Sequence, residues 1–153
     1  MANSRRDQEH LGIDTNVLVA YLDKDHPSHG ETVVLAEASV AMNPTIVHEA
    51  YHTLVFKMKW TPRDASEALT EASTDAKNRF INQTWNTTRM GLRLAIEHSL
   101  GGRDALILAN FVGAHLSRFV TYDKALLSLR VVRYGRAALL IESVKSLSQA
   151  DRS

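Results

Sequence analysis

The sequence predicts an α/β domain with a mainly parallel central sheet flanked by helices. Three observations carry that expectation. Short apolar runs at Leu11-Gly12-Ile13 and Val40-Ala41-Met42 each precede a segment of helical pattern. Val47, Ala50, Tyr51, Leu54, Val55 and Met58 fall at i, i+3, i+4, i+7, i+8 and i+11, an apolar stripe of helical period. The chain has 153 residues, 44% of them hydrophobic, with no internal repeat or linker. That is the length of one domain with a core of its own.

Residues 1–9 are polar and read as a flexible arm. Leu11 to Ile13 is expected as a buried strand ending at Asp14, and Asn16 to Leu22 as a buried helix. Asp23 to Pro27 is a turn, followed by a helical segment from His29 to Glu37. Val40 to Met42 is a second strand, closed by Asn43-Pro44, and the striped helix follows. Thr61-Pro62 places a cap residue before proline at the first helical position, opening a helix to about Ala76. Arg79-Phe80-Ile81 is a further strand, and Thr87 to Leu100 a helix stopped by Gly101-Gly102. Asp104 to Leu116 is strongly apolar and helical, Arg118 to Thr121 is a strand running toward Asp123, and Val131-Val132 is an edge strand. Ala137 to Leu147 is expected as a tail helix. The partition is therefore an arm (1–9), a domain (10–134) and a helical tail (135–153).

Composition excludes several classes. There is no cysteine, so disulfides, thiolate metal sites and cysteine nucleophiles are out, and a cytoplasmic setting is expected. No apolar run reaches the ~18 residues of a membrane span, and no apolar stretch follows the N-terminal basic residues as in a secretory signal. The formal net charge of +1 attracts polyanions only weakly, although acids neutralised by a metal would leave the remaining surface more positive.

Four acids stand out: Asp14, Glu49, Asp104 and Asp123. Each has a local explanation. Asp14, Asp104 and Asp123 lie where a helix begins, where aspartate caps and complements the dipole. Glu49 is expected in a first turn, opposite its apolar stripe. Together they have another. Two follow strands and two open helices, so all four can converge on the carboxyl ends of one sheet, where such folds bind ligands. Carboxylates gathered there repel one another unless a hard cation such as Mg²⁺ or Mn²⁺ is present. A site of that kind suits hydrolysis of a nucleic-acid phosphodiester.

One motif competes for Glu49. His48-Glu49-Ala50-Tyr51-His52 is an H-E-x-x-H sequence, the two histidines one turn apart as in zinc metalloproteases. Glu71 lies downstream as a possible third ligand. That reading leaves Asp14, Asp104 and Asp123 without a role. A phosphatase of the haloacid dehalogenase kind needs an aspartate where Asn16 stands. His26, His29, His98 and His115 have no ligand spacing. Trp60, Trp85 and Tyr122 could stack on bases but more commonly pack a core. Arg103 reads as a solvated arginine that could also meet phosphate.

Four segments resemble the motifs of the PIN-domain nucleases, in order and with similar spacing from about residue 11 to 132. They are Ile13-Asp14-Thr15-Asn16, Asn43-Pro44-Thr45-Ile46-Val47-His48-Glu49, Gly102-Arg103-Asp104-Ala105-Leu106-Ile107-Leu108-Ala109 and Phe119-Val120-Thr121-Tyr122-Asp123-Lys124-Ala125-Leu126. The chain is also similar in size to the VapC toxin ribonucleases of toxin–antitoxin pairs. The resemblance implies a Mg²⁺- or Mn²⁺-dependent endoribonuclease acting on single-stranded or loop RNA. It makes Asp14 and Asp104 metal ligands and Asp123 a ligand directly or through water. Glu49 would orient the attacking water or bind a second cation. Thr15, Asn16 and Thr121 would hydrogen-bond the acids or the phosphate, or serve only as turn and cap residues. It further implies a homodimer restrained by a cognate antitoxin protein. PIN-like domains can also act as non-catalytic RNA- or protein-binding modules, usually after losing acids that are all present here.

Overall fold

In the computed structural model the backbone is described for residues 9–150 and side chains for residues 9–147. Strand β1 (Leu11–Ile13) is buried throughout and leads into α1 (Thr15–Leu22). The segment α2 (His29–Thr32) runs into a 3₁₀ turn at Val33–Glu37. Strand β2 (Val40–Met42) feeds α3 (Pro44–His52). Asn43 does more than end the strand: its side chain accepts from the Ile46 N–H at 3.0 Å, and Pro44 takes the first helical position.

The stripe beyond α3 continues through a π-helical turn (Thr53–Lys57). Its fully buried members are Ala50 and Leu54, joined by Ile46 from outside the stripe; Val47, Tyr51, Val55 and Met58 are only partly covered. The sequence stripe therefore sits to one side of the true contact seam. Helix α4 (Pro62–Thr74) is capped by Thr61, and α5 (Trp85–His98) by Thr84, whose hydroxyl exchanges bonds with Thr87. Between them lies the two-residue strand β3 (Arg79–Phe80). Helix α6 (Gly102–Gly113) buries the run Ile107 to Val112. Strand β4 (Arg118–Val120), α7 (Lys124–Leu129), β5 (Val131–Tyr134), β6 (Ala137–Glu142) and α8 (Val144–Ala150) complete the chain.

The six strands are ordered β3-β2-β1-β4-β6-β5. All neighbours are parallel except β5 and β6, which form an antiparallel pair at one edge. The expected α/β class and mainly parallel sheet are thus observed. The expected tail helix is corrected. Residues Ala137–Glu142 form β6, inserted between β4 and β5, and only Val144–Ala150 is helical. Leu139 and Ile141 point into the core while Leu140 is exposed, the alternation of a strand. Residues 135–147 are therefore integral to the sheet and core, not an appendage.

The core joins both faces of the sheet to the helices. On one face Gly12 lies against the Phe111 ring of α6, and a Cβ at Gly12 would come within 2.9 Å of that ring. Phe111 in turn meets Phe119 of β4, with ring centroids 5.6 Å apart. Gly91 lets α5 approach α6 closely, since a Cβ there would stand 3.3 Å from the Leu106 Cα. Among the described residues no helix is long and apolar enough to cross a membrane.

Candidate active site

The strand order reverses direction between β1 and β4. The chain winds outward from β1 through β2 and β3, then returns to place β4 on the other side of β1. The carboxyl ends of these two adjacent strands are the switch point at which open α/β sheets bind ligands. Asp14 leaves β1 there and Thr121 leaves β4. The Asp14 N–H donates to the Val120 carbonyl at 3.0 Å, which locks the two strand ends side by side.

Asp14 is nearly inaccessible, at 3% exposure. One carboxylate oxygen, Oδ1, accepts from the Thr15 N–H at 2.8 Å, the N-terminal cap of α1. The other, Oδ2, accepts from the Thr121 hydroxyl at 2.7 Å. That hydroxyl also accepts from the Asp123 N–H at 3.0 Å, so Thr121 ties the loop after β4 to Asp14. Burial pushes the Asp14 carboxyl above its ordinary value. The bonds from Thr121 and Thr15 oppose that shift, the nearby Asp104 adds to it, and Arg103 offsets part of it.

Thr15 reaches the other way. Its hydroxyl donates to Glu49 Oε2 at 2.8 Å, joining the start of α1 to α3. Glu49 is the sixth residue of α3, so it lies in the second turn rather than the first. It does not face open water: the same Oε2 receives Nη1 of Arg103 at 2.6 Å. The other arm of that guanidinium, Nη2, donates to Asp104 Oδ1 at 3.1 Å. Asp104 is the third residue of α6. One hydrogen-bonded chain therefore runs Asp123, Thr121, Asp14, Thr15, Glu49, Arg103, Asp104.

Within this chain the acids differ. Asp14, Glu49 and Asp104 are linked through their carboxylates, held by Thr121, Thr15 and Arg103. Asp123 is linked through its backbone, while its Oδ1 caps α7 by accepting from the Ala125 and Leu126 N–H groups at 2.8 and 3.2 Å. Asn16 is exposed at the second position of α1 and its side chain makes no hydrogen bond among the described residues. Tyr122 is part-buried and donates to Glu31 at 3.2 Å; burial and that carboxylate push its hydroxyl up to about 12. Trp60 packs against the core, and Trp85 stands 74% exposed.

The donor set at the switch point is carboxylate and hydroxyl oxygen, which suits a hard divalent cation. Among the described residues no three carboxylate or imidazole side chains form a ready-made metal cluster. Between Glu49 and Asp104 the bridging positive charge is the Arg103 guanidinium. Arg103 is the participant that sequence reasoning undervalued. The available signal was its position: a cation in the first turn of a helix opposes the dipole, so it needs acidic partners.

The H-E-x-x-H alternative finds no such support. His48 and His52 are both exposed, His52 lies against the Phe56 ring at 4.9 Å, and Glu71 is exposed on α4. A cavity of about 500 Å³, lined by Glu9, His10, Arg79 and His115 among others, lies at the opposite ends of β1 and β4 and contains none of the four acids.

The architecture is shared with solved structures. The sarcin–ricin loop-cleaving toxin VapC20 of Mycobacterium tuberculosis is similar over 81% of this chain and 98% of its own, with a TM-score of 0.68 and 15% identity. A protein from Pyrobaculum aerophilum, PAE2754, is similar over 100% of this chain and 99% of its own, with a TM-score of 0.62 and 17% identity. VapBC2 of Rickettsia felis, solved with a DNA fragment from its promoter, is similar over 87% of this chain and 97% of the matched chain, with a TM-score of 0.59 and 15% identity. At these identities the likeness is one of fold. No curated protein sequence matches the chain. The sequence profile of the PIN domain does match, over residues 12–131, and that span contains all four acids. By that match the chain belongs to the PIN-domain family.

Proposed function

We propose that the chain is a divalent-metal-dependent endoribonuclease and the toxin of a toxin–antitoxin pair. The observation that carries this reading is the hydrogen-bonded chain at the switch point, which brings Asp14, Glu49 and Asp104 together from three separate segments. Membership of the PIN family and the likeness to toxin structures support the same activity.

In this reading Asp14 and Asp104 hold Mg²⁺ or Mn²⁺, joined by Asp123. A bound cation would supply charge neutralisation at the scissile phosphate and a lowered pKa for water. The chain's own residues do the positioning. Thr121 aims Asp14 by donating to it and opposes, without outweighing, the burial that favours the protonated form. Thr15 aims Glu49, which in this reading would orient the attacking water or bind a second cation. Asn16, exposed beside Thr15, is available to the substrate backbone.

The substrate is RNA presented as a single strand or loop. The absence of cysteine supports a cytoplasmic setting. A homodimer is supported by Trp85, Leu92 and Ile96, which are 74%, 59% and 82% exposed on α5. A small protein encoded immediately upstream, with a DNA-binding fold, would supply the expected antitoxin.

Cleavage of a broad RNA panel with Mg²⁺ or Mn²⁺ tests the enzymatic reading. Activity should vanish in EDTA and fall by about 10²-fold or more in Asp14→Asn and Asp104→Asn. Wild-type protein that cuts no better than these variants would leave the chain a binding module instead.

A further inference from the structure

The Arg103 guanidinium is the feature that the proposed reaction does not use. It donates one N–H arm to Glu49 Oε2 at 2.6 Å and the other to Asp104 Oδ1 at 3.1 Å, joining α3 to α6 across the mouth of the site. Both ion pairs hold acids of the site, whereas Arg118 pairs with Glu142 between β4 and β6. Helix α6 gains nothing electrostatically from a cation at its second position, since the positive end of its dipole is there. What holds Arg103 is therefore the pair of carboxylates.

We propose that Arg103 is a built-in counter-ion, closing the site without metal and competing with the divalent cation for Glu49 and Asp104. This deepens the metal-dependent reading above and rests on it. Three properties make the arrangement a competitor rather than a rigid brace. The guanidinium side chain is 54% exposed, and an ion pair that open to solvent is worth little and breaks readily. Its single positive charge faces three carboxylates, Asp14 included, so a dication satisfies the cluster better than it can. Its tether is long and flexible, so it can swing out without moving α6. Arg103 thus spares the metal-free protein an uncompensated acidic cluster and sets a threshold concentration for metal entry.

The test is Mn²⁺ binding, measured by calorimetry on the intact chain without RNA. Wild type, Arg103→Ala, Arg103→Gln and Asp14→Asn would be compared, with melting temperatures taken in EDTA and in saturating Mn²⁺. Competition predicts that both Arg103 variants bind Mn²⁺ about three- to tenfold more tightly than wild type. It also predicts that they melt lower in EDTA and gain more from Mn²⁺. A purely structural ion pair predicts lower melting in both conditions with unchanged or weaker Mn²⁺ binding, and that result would overturn the proposal while leaving the metal site intact. Wild type that binds Mn²⁺ no better than Asp14→Asn would overturn the metal site itself, and the competition with it.

Discussion

Asp14 is subject to two opposing demands. Its position at the end of β1 buries it, which favours the neutral acid, while Thr121 and Thr15 donate to it, which favours the anion. Burial is the larger effect, so the folded carboxyl titrates above the ordinary value of 3.8. A carboxyl raised on folding contributes stability below its unfolded value and loses it as pH rises through the folded value. Metal-free protein should therefore lose the Asp14 contribution as pH rises above the ordinary carboxylate value of 3.8 and through the raised folded one. Asp14→Asn, neutral at every pH, should melt higher than wild type in EDTA at neutral pH, by roughly 2–5 °C. The gap should close as pH falls toward 4. An unchanged or lower melting temperature at neutral pH would contradict a strained acidic site. Each of the four acids could be picked out in the sequence, but not its use. Asp123 spends one oxygen on capping α7, as the local reading allowed, whereas Glu49 turned out to be held by Thr15 and Arg103 instead of facing water.

At the scale of the element, most helices announce themselves through caps and period. Thr61-Pro62 starts α4 where cap chemistry says it should, whereas α5 begins at Trp85 behind a Thr84 cap, two residues before the expected Thr87. Strand β6 is the informative failure. Ala137-Ala138-Leu139-Leu140-Ile141-Glu142 is rich in helix formers, and its solvent side carries Ala138 and Leu140, so the polar half of a strand's alternation is missing. Its conformation is set by pairing with β4 on one side and β5 on the other, contacts that local propensity does not contain. Leu139, fully buried in this strand, tests how integral the segment is. Leu139→Ala should destabilise the fold by about 2–5 kcal/mol in denaturant titration, as for any core leucine. A loss below about 0.5 kcal/mol would return residues 137–147 to the status of a tail.

At the scale of the whole molecule, the order β3-β2-β1-β4-β6-β5 makes the site, because it sets the ends of β1 and β4 side by side with α3 and α6 opening beside them. The same fold leaves one apolar stripe uncovered. Trp85, Leu92 and Ile96 sit seven and four residues apart on α5, hence on one helical face. If a second copy covers that face, Ile96→Lys should shift sedimentation from dimer toward monomer while leaving the circular dichroism spectrum unchanged. A wild-type chain that sediments as a monomer at all concentrations would remove the homodimer from the proposal.

The sequence by itself determined the fold class, the majority of the elements and the identity of the four acids. These follow from periodicity, caps and turn residues, all interactions between near neighbours in the chain. Only the tertiary structure decided the insertion of β6, the burial of Asp14 and the bridging role of Arg103. Thr121 reaches Asp14 across 107 residues of chain, and Arg103 reaches Glu49 across 54. Which partner such a side chain meets depends on how the strands are ordered and how closely the helices pack, and no local pattern records that.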